Sequence, residues 1–223
     1  MQKKNETNMT SRFLSELTNE LNKELPGNDA HKEMISISRK SAEVIRKLNV
    51  NPRESAVLIL LYKENDQWYF PLIKRQEYDG VHSKQIGLPG GQVEKDDVDL
   101  EATSIRETME ELGVNSSGMQ ILGSLTEIYI PPSNFLVQPF VGYLENFKGF
   151  EPDTVEVNRV IPTSLLEFLT QPIEKMEKYI KNGNVTSQVS SFIIDNEVVW
   201  GATAMMLNEF RTVIRKIERA GKL

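Results

Sequence analysis

The sequence predicts an α/β fold in which a mixed β-sheet lies between helices. Three observations support this prediction: apolar β-rich runs indicate strands, apolar residues at helical spacing indicate amphipathic helices, and the two kinds of segment do not alternate strictly. The chain has 223 residues, of which 39% are hydrophobic and 26% charged, so it can bury a sizeable core. We therefore expect one domain with appendages.

The composition disfavours some binding partners and excludes sites that depend on cysteine. Because 26 Lys and Arg face 32 Asp and Glu, the net charge of −6 disfavours nonspecific binding to nucleic acid or to an anionic membrane. The absence of cysteine excludes disulfides, thiolate nucleophiles and cysteine-ligated metal sites. No apolar run has the length of a signal peptide or the roughly 20 residues that span a bilayer. We therefore expect a cytoplasmic protein.

The first helical pattern lies near the amino terminus, where Phe13, Leu17, Leu21 and Leu25 recur every four residues before Pro26 ends the pattern. This amphipathic helix covers either the flank of its own domain or a contact in a homodimer, and the sequence leaves both open. Residues 31–50 are weakly periodic and predict a second helical piece. His31 stands alone in a polar segment, and we assign it no role.

The next elements are predicted from apolar runs and turn residues. Residues 56–62 predict a buried strand, 64–66 a turn and 68–74 a partner strand, in which Pro71 indicates an edge or a bulge. An irregular stretch at 76–91 precedes a helix over 99–112, which Gly113 caps. The remaining predictions are strands near 119–129, 135–144 and 188–200, a short helix near 163–169 and a last helix near 202–219. Trp200 is predicted to pack in the core or at an edge, and Met206 to belong to the last helix.

The helix over 99–112 has an unusual acidic face. Its apolar stripe of Ala102, Ile105, Met109 and Leu112 predicts the core side, and three glutamates centre opposite it. A solvated face is the simplest interpretation. However, the glutamates repel one another at i, i+3 and i+4, and two of them lie at the end of the helix where the macrodipole disfavours anions. Each effect is a few tenths of a kcal/mol, roughly, and a divalent cation would reverse their sign.

These acids and a glycine turn together predict a metal site. Carboxylates at i, i+3 and i+4 can converge on a hard ion such as Mg²⁺ or Mn²⁺. Gly90 and Gly91 allow positive φ and close approach of the backbone to a metal or a phosphate. The predicted metal ligands are Glu107, Glu110 and Glu111, with Gly91 beside them.

The segment resembles the signature of the Nudix hydrolase family: two glycines, fourteen residues, and then Arg-Glu-X-X-Glu-Glu-X-Gly over 106–113. The general pattern has one residue fewer before Arg106, with Asp97 here in its first acidic place. The coenzyme A pyrophosphatase-like branch is more similar. Its matches are Arg75, Gln85-Ile86, Leu88-Pro89-Gly90-Gly91, Glu94, Asp97, Leu100, Thr103 and Arg106-Glu107, followed by residues 129–135 and 137–142. The likeness covers about residues 35–170.

This resemblance implies a Nudix-type α/β/α sandwich, with residues 31–223 as a single hydrolase domain and 1–30 as a helical extension. It also implies metal-dependent hydrolysis of a pyrophosphate bond in a nucleoside diphosphate derivative. Glu107 is then a metal ligand, the general base, or both. Arg106 is expected to pair with an acid and orient the helix. Glu156 resembles the additional acid that a downstream loop supplies, with Asp153 as the alternative.

The branch resemblance further implies coenzyme A or acyl-CoA as substrate, giving 4′-phosphopantetheine and adenosine 3′,5′-bisphosphate. Arg75, His82 and Lys84 are candidates to bind the 3′-phosphate. Phe135 is a candidate to stack on adenine or the pantetheine arm, although a strand phenylalanine is more often core. The alternatives are another dinucleotide, such as ADP-ribose or NADH, and a noncatalytic Nudix domain that senses a nucleotide.

Overall fold

The computed structural model describes residues 2–35, 44, 51–77, 85–180 and 185–221. The helices are α1 (Gln2–Leu21), α2 (Gly27–Lys32), α3 (Leu100–Leu112), α4 (Leu165–Thr170) and α5 (Gly201–Arg219), with a 3₁₀ turn at Pro131–Ser133. The strands are β1 (Arg53–Glu64), β2 (Gln67–Arg75), β3 (Ile86–Gly87), β4 (Gly90–Gln92), β5 (Met119–Ser124), β6 (Ile128–Ile130), β7 (Phe135–Leu144), β8 (Val157–Ser164), β9 (Glu174–Ile180), β10 (Val185–Ile194) and β11 (Glu197–Trp200).

Eight strands form the central sheet, and its pairing is mixed. The main order is β3-β2-β1-β7-β5, with β4 on β1, β6 on β7 and β8 on β2. The β1–β7 pair is parallel, and the other pairs are antiparallel. The remaining strands form a second sheet in the order β11-β10-β9. The predicted mixed sheet between helices is therefore confirmed.

The hairpin of β1 and β2 is also confirmed, because Asn65 and Asp66 have φ of 50° and 61°, which suits a tight two-residue turn. The sequence predicts that Pro71 marks an edge or a bulge. The edge is wrong, since β2 lies between β1 and β8, and the register irregularity of the β2–β8 pair lies between Lys74 and Arg75. Pairing with β1 ends at Tyr69, and pairing with β3 begins at Ile73. Pro71 lies between these two paired segments of β2. On the side of β2 that faces β1 and β3, no described strand pairs with Pro71, so its missing N–H breaks no hydrogen bond there.

Both faces of the sheet are covered. Side chains of β1 alternate, so that Ile59 and Leu61 join one core and Leu58 and Leu60 join the other. The larger core contains α1 and α5. Phe13, Leu17 and Leu21 are buried in it, so α1 packs on the flank of its own domain. The smaller core contains the end of α3 at Leu112.

Two strands were not predicted, and one predicted helix lies mostly outside the described residues. Strands β8 and β9 were not predicted, because the sequence around them carries no clear alternation of apolar and polar residues. The second helical piece predicted over 31–50 overlaps α2 only at residues 31–32, and it stays a prediction because residues 36–43 and 45–50 lie outside the described residues. No helix in the described part of the chain is long and apolar enough to cross a membrane.

Candidate active site

Helix α3 is fixed at both ends by the residues that predicted it. The Asp99 side chain caps the first turn by accepting a hydrogen bond from the Ala102 N–H at 2.8 Å. Gly113 adopts the left-handed conformation with φ of 63° and donates its N–H to the Met109 carbonyl at 2.9 Å. The helix packs over β1 and β4. The predicted bounds of 99–112 are therefore confirmed to within one residue.

The face of α3 that is buried differs from the predicted one. Of the predicted apolar stripe only Leu112 is fully buried, and the other buried residues are Thr103, Ser104, Thr108 and Glu111. The helix thus turns its hydroxyl and carboxylate side toward the sheet. This costs little for the hydroxyls, because Thr108 donates to the Ser104 carbonyl at 2.7 Å and Ser104 to the Glu101 carbonyl at 2.8 Å.

Glu111 lies beneath the glycine turn, with a side chain that is 1% exposed. Its Oε2 accepts a hydrogen bond from the Gly90 N–H at 2.8 Å. Its Oε1 lies 3.0 Å from Arg75 Nη1, but this ion pair is not aligned as a hydrogen bond, and Oε1 has no hydrogen-bond partner among the described residues. Burial raises the pKa of Glu111 to about 7, against the opposing effect of Arg75 and the Gly90 N–H.

Glu107 lies directly against Gly91. A β-carbon on Gly91 would come within 2.4 Å of the Glu107 carboxylate, so lack of a side chain, rather than an unusual φ, is what this position requires. Burial raises the pKa of Glu107, and Arg106 opposes that rise. The Glu107 side chain is 14% exposed and lines the cavity described below.

Arg106 connects the acids of α3 to the loop before it. Its guanidinium donates two hydrogen bonds of 2.9 Å to Asp97, one of 3.0 Å to Glu107 and one of 2.9 Å to Glu110. The hydrogen bonds from Arg106 hold the pKa of Asp97 well below its usual range. The pairing predicted for Arg106 is thus what the structure contains. It also offsets the repulsion between the glutamates, which the sequence argument had left to a cation alone.

A cavity of about 430 Å³ opens beside α3 and brings five of the predicted residues together. Its lining includes Arg75, Gly91, Glu107, Phe135 and Glu156. Other predicted residues lie elsewhere: Glu111 is buried below the glycine turn, and Arg106 and the exposed Glu110 lie outside the lining. His82 and Lys84 belong to residues 78–84, which lie outside the described residues.

The loop that carries Glu156 is fastened to the end of α3. Asp153 donates its N–H to the Glu111 carbonyl at 3.3 Å, and Gln76 donates its N–H to the Glu156 carbonyl at 2.9 Å. The Asp153 carboxylate accepts a hydrogen bond from the Val155 N–H at 2.8 Å and so shapes the loop. Of the two acids that the sequence left open, Glu156 is the one that lines the cavity.

The chemistry of these residues fits a hard cation, although the acids do not form a preassembled cage. Within the described ranges, no three acidic or histidine side chains stand close enough to hold a metal ion. Yet Glu111 Oε1 is buried without a hydrogen bond, and Gly91 gives Glu107 room against the backbone. Carboxylate oxygens are the ligands that Mg²⁺ and Mn²⁺ prefer. Arg106 donates to one oxygen of Glu107 and to one oxygen of Glu110, so each carboxylate has a second oxygen that could contact the ion.

Sequence reasoning missed the part of the cavity that comes from the carboxyl-terminal region. Trp200, Ala202 and Met206 line it, although they are far along the chain from the glycine turn. Packing roles are what the sequence predicts for Trp200 and Met206. Met206 is buried in the larger core, and no local pattern indicates that either residue borders a cavity.

The family model and the relatives that match this chain are all described as Nudix proteins. The family model described as NUDIX domain matches residues 52–170. The chain is 30% identical over 178 residues to "Nudix hydrolase 22, chloroplastic" of Arabidopsis thaliana, which covers 77% of this chain and 59% of that protein. It therefore spans less than two thirds of that relative's length. It is 25% identical over 206 residues to the Nudix hydrolase NudL of Yersinia pestis (strain Pestoides F), covering 89% and 94% of the two chains.

A solved structure has the same fold. The MutT/nudix family protein from Enterococcus faecalis superposes with a TM-score of 0.51 at 16% identity, covering 86% of this chain and 75% of that one.

Proposed function

The chain belongs to the Nudix family, and from this premise we propose that it hydrolyses a pyrophosphate bond in a nucleoside diphosphate derivative, with coenzyme A or acyl-CoA as the leading substrates. One observation carries the proposal. The glycine turn, Glu107 of α3 and Glu156 of a separate loop meet in a single cavity large enough for part of a nucleotide.

The charges around the cavity support a requirement for a divalent cation, which Nudix hydrolases generally have. Among the described lining residues Arg75 is the only basic one, and the lining also includes two acids, Glu107 and Glu156. Its guanidinium is already held by Glu111 and by the Gly90 carbonyl at 2.9 Å. A pyrophosphate would therefore be repelled without added positive charge.

Mg²⁺ or Mn²⁺ is the cation we propose, held by Glu107, Glu110 and Glu111 next to Gly91. When bound, such an ion neutralises the pyrophosphate and lowers the pKa of a bound water. The protein's own contribution is to position the acids. Arg106 and Asp97 orient the outer side of α3, while Arg75 holds the glycine turn against Glu111.

The proposed reaction is a hydrolysis in which a water oxygen bonds to one phosphorus. The bond from that phosphorus to the bridging oxygen breaks, and the bridging oxygen leaves with the other phosphate. The proton from water passes to a carboxylate. Glu107 and Glu156 are the carboxylates that line the cavity, and they come from different elements, so either can serve as this base.

The preference for coenzyme A derives from the branch motif. In the structure, Arg75 binds the protein itself, so we propose a positioning role for it and leave recognition of a 3′-phosphate to His82 and Lys84. Phe135 lines the cavity and is half-buried, which supports its proposed contact with the substrate.

The test is to incubate the protein with Mg²⁺ or Mn²⁺ and coenzyme A, acetyl-CoA, ADP-ribose or NADH, and to separate the products by chromatography. We expect 4′-phosphopantetheine and adenosine 3′,5′-bisphosphate from coenzyme A, and no products from Glu107→Gln. Cleavage of ADP-ribose or NADH alone would keep the reaction and change the substrate. Nucleotide binding without cleavage of any diphosphate would overturn the proposal in favour of a noncatalytic sensor.

A further inference from the structure

We propose that the end of β11 and the first turns of α5 form an apolar subsite for the uncharged, hydrophobic group of the substrate that flanks its pyrophosphate. This inference rests on the proposed function, because it concerns the same cavity. The residues that form the subsite wall, Trp200, Ala202 and Met206, lie outside the 52–170 range that the NUDIX family model matches. The wall is therefore a feature that the matched domain does not itself supply.

The floor of the subsite is one face of the central sheet. Strand pairing places Gln92 of β4 beside Ser55 of β1, Ser55 beside Val137 of β7, and Val137 beside Ile128 of β6. Paired residues point to the same face, so the cavity residues Ser55, Val137 and the β6 residue Ile130 share one surface. Three strand spacings of about 4.8 Å separate β4 from β6, so this floor extends roughly 14 Å from the glycine turn.

The wall leaves open space above that floor. Thr203 donates its hydroxyl to the Ile86 carbonyl at 3.3 Å, which fastens the first turn of α5 to β3 and uses the polar atom of that side chain. A β-carbon added to Gly201, which also lines the cavity, would meet nothing within 4 Å. Ala202 and Met206 add aliphatic surface. The space is therefore bordered mainly by carbon atoms.

Phe135 gives the floor an aromatic surface. The guanidinium of Arg53 lies over the ring, 4.0 Å from its centroid, and Arg53 is not among the residues that line the cavity. The cation covers one face of the ring, and the same residue, Phe135, lines the cavity. Arg53 is also held by the Ser133 carbonyl at 2.8 Å. The ring is thus kept in place before any ligand binds.

The charge of the residues that line the proposed subsite determines which chemical groups the subsite can bind. No described lining residue other than Arg75 is basic, and Arg75 belongs to the glycine-turn end. A phosphate or carboxylate would lose water here without gaining a cationic partner among the described lining residues. An uncharged group that buries apolar surface fits, and a nucleobase or the aliphatic arm of coenzyme A has that chemistry.

The test is a substitution in the subsite wall that places a larger side chain in the cavity. Ala202 is half-buried at the cavity, and Ala202→Leu adds aliphatic bulk to the proposed subsite. Ala220→Leu is the matched control, because Ala220 is exposed at the far end of α5. Binding is measured by calorimetry with Mg²⁺ in the Glu107→Gln background, so that the result does not depend on turnover. The ligands are coenzyme A, ADP-ribose and inorganic pyrophosphate.

We expect Ala202→Leu to weaken binding of coenzyme A or ADP-ribose about tenfold or more, and to leave pyrophosphate binding and the melting temperature unchanged. Weakening for coenzyme A alone would identify the aliphatic arm as the occupant, whereas equal weakening for both ligands would identify the base. Trp200→Ala, which removes wall surface, is expected to weaken the same ligands. Unchanged affinity in both variants, or an equal loss for pyrophosphate, would overturn the subsite. Binding without hydrolysis by the unaltered chain would instead count against the proposed function.

Discussion

Two buried glutamates, Glu111 of α3 and Glu209 of α5, have opposite environments. Both side chains are at most 1% exposed. Glu209 accepts hydrogen bonds from the Gly27 N–H at 3.0 Å, from the Thr126 N–H at 3.2 Å and from the Thr126 hydroxyl at 2.7 Å, and His31 Nε2 lies 2.9 Å from it. These contacts join three separate segments of the chain.

Glu111 has fewer partners, since only one of its oxygens accepts a hydrogen bond from the described residues. The pKa values differ accordingly. Burial raises the pKa of Glu111 to about 7. Burial also acts to raise the pKa of Glu209, but the hydrogen bonds from His31 and Thr126 outweigh it, and the net pKa is lowered. A fully hydrogen-bonded carboxylate stabilises the fold, whereas a buried carboxylate with one oxygen that accepts no hydrogen bond is a candidate to bind a cation.

The largest effect is expected from Glu111→Gln. The amide keeps an oxygen for the Gly90 N–H but removes the charge that we propose to hold the cation, so hydrolysis should fall at least about 100-fold. The free energy of unfolding without metal should change little, because relief from burying a carboxylate offsets the loss of the ion pair with Arg75. Initial rates and denaturant titrations measure the two effects. A clear loss of stability would contradict the contrast between the two glutamates.

Glu209→Gln should have the reverse result. We expect the free energy of unfolding to fall by about 2 kcal/mol, because an amide cannot accept all the hydrogen bonds that the carboxylate accepts. Hydrolysis per folded molecule should not change, since Glu209 does not line the cavity. Urea unfolding followed by circular dichroism gives the first quantity. A specific loss of turnover with normal stability would make Glu209 part of the active site.

The stability supplied by Glu209 should also depend on pH. Because its folded-state pKa is lowered, the contribution is present above the unfolded pKa of a glutamate and disappears as the pH falls through the lowered value. The difference in unfolding free energy between the natural chain and Glu209→Gln should therefore shrink in acid. A difference that grows on acidification would show that the ionised carboxylate is not the stabilising form.

Gly91→Ala extends the comparison to the neighbouring acid, Glu107. The added β-carbon would meet the end of a flexible side chain at 2.4 Å, so Glu107 should move and turnover should fall about tenfold, with little loss of stability. Gly90→Ala is the control, because its β-carbon would lie 2.3 Å from the backbone carbonyl of Ala56 and should destabilise the fold. Equal stability losses in the two variants would contradict this division.

The smallest effect is expected from Asp99→Ala, which removes an ordinary helix cap from α3. The free energy of unfolding should fall by about 1 kcal/mol, and turnover by folded protein should persist. Thermal unfolding gives the reference cost of losing one hydrogen bond at the surface. If Glu209→Gln lowers the free energy of unfolding no more than Asp99→Ala does, then burial does not strengthen the stabilising effect of the hydrogen bonds to Glu209.

The sequence alone determined the local elements whose causes lie within a few residues. Asp99 and Gly113 marked the ends of α3, and the turn at 64–66 marked the first hairpin. These predictions of elements succeed because capping, turn geometry and helical periodicity depend on neighbours in the chain. The spacing of the glutamates and the paired glycines predicts a metal site, which stays a proposal.

Only the tertiary structure decided which surfaces are buried and what they contact. It turned the hydroxyl and carboxylate face of α3 inward, made Arg75 a partner of Glu111, and placed Glu156 rather than Asp153 at the cavity. It also buried His31, to which the sequence assigned no role, against Glu209. Each outcome depends on segments that are distant in the chain, and burial and pKa follow from such contacts rather than from residue type.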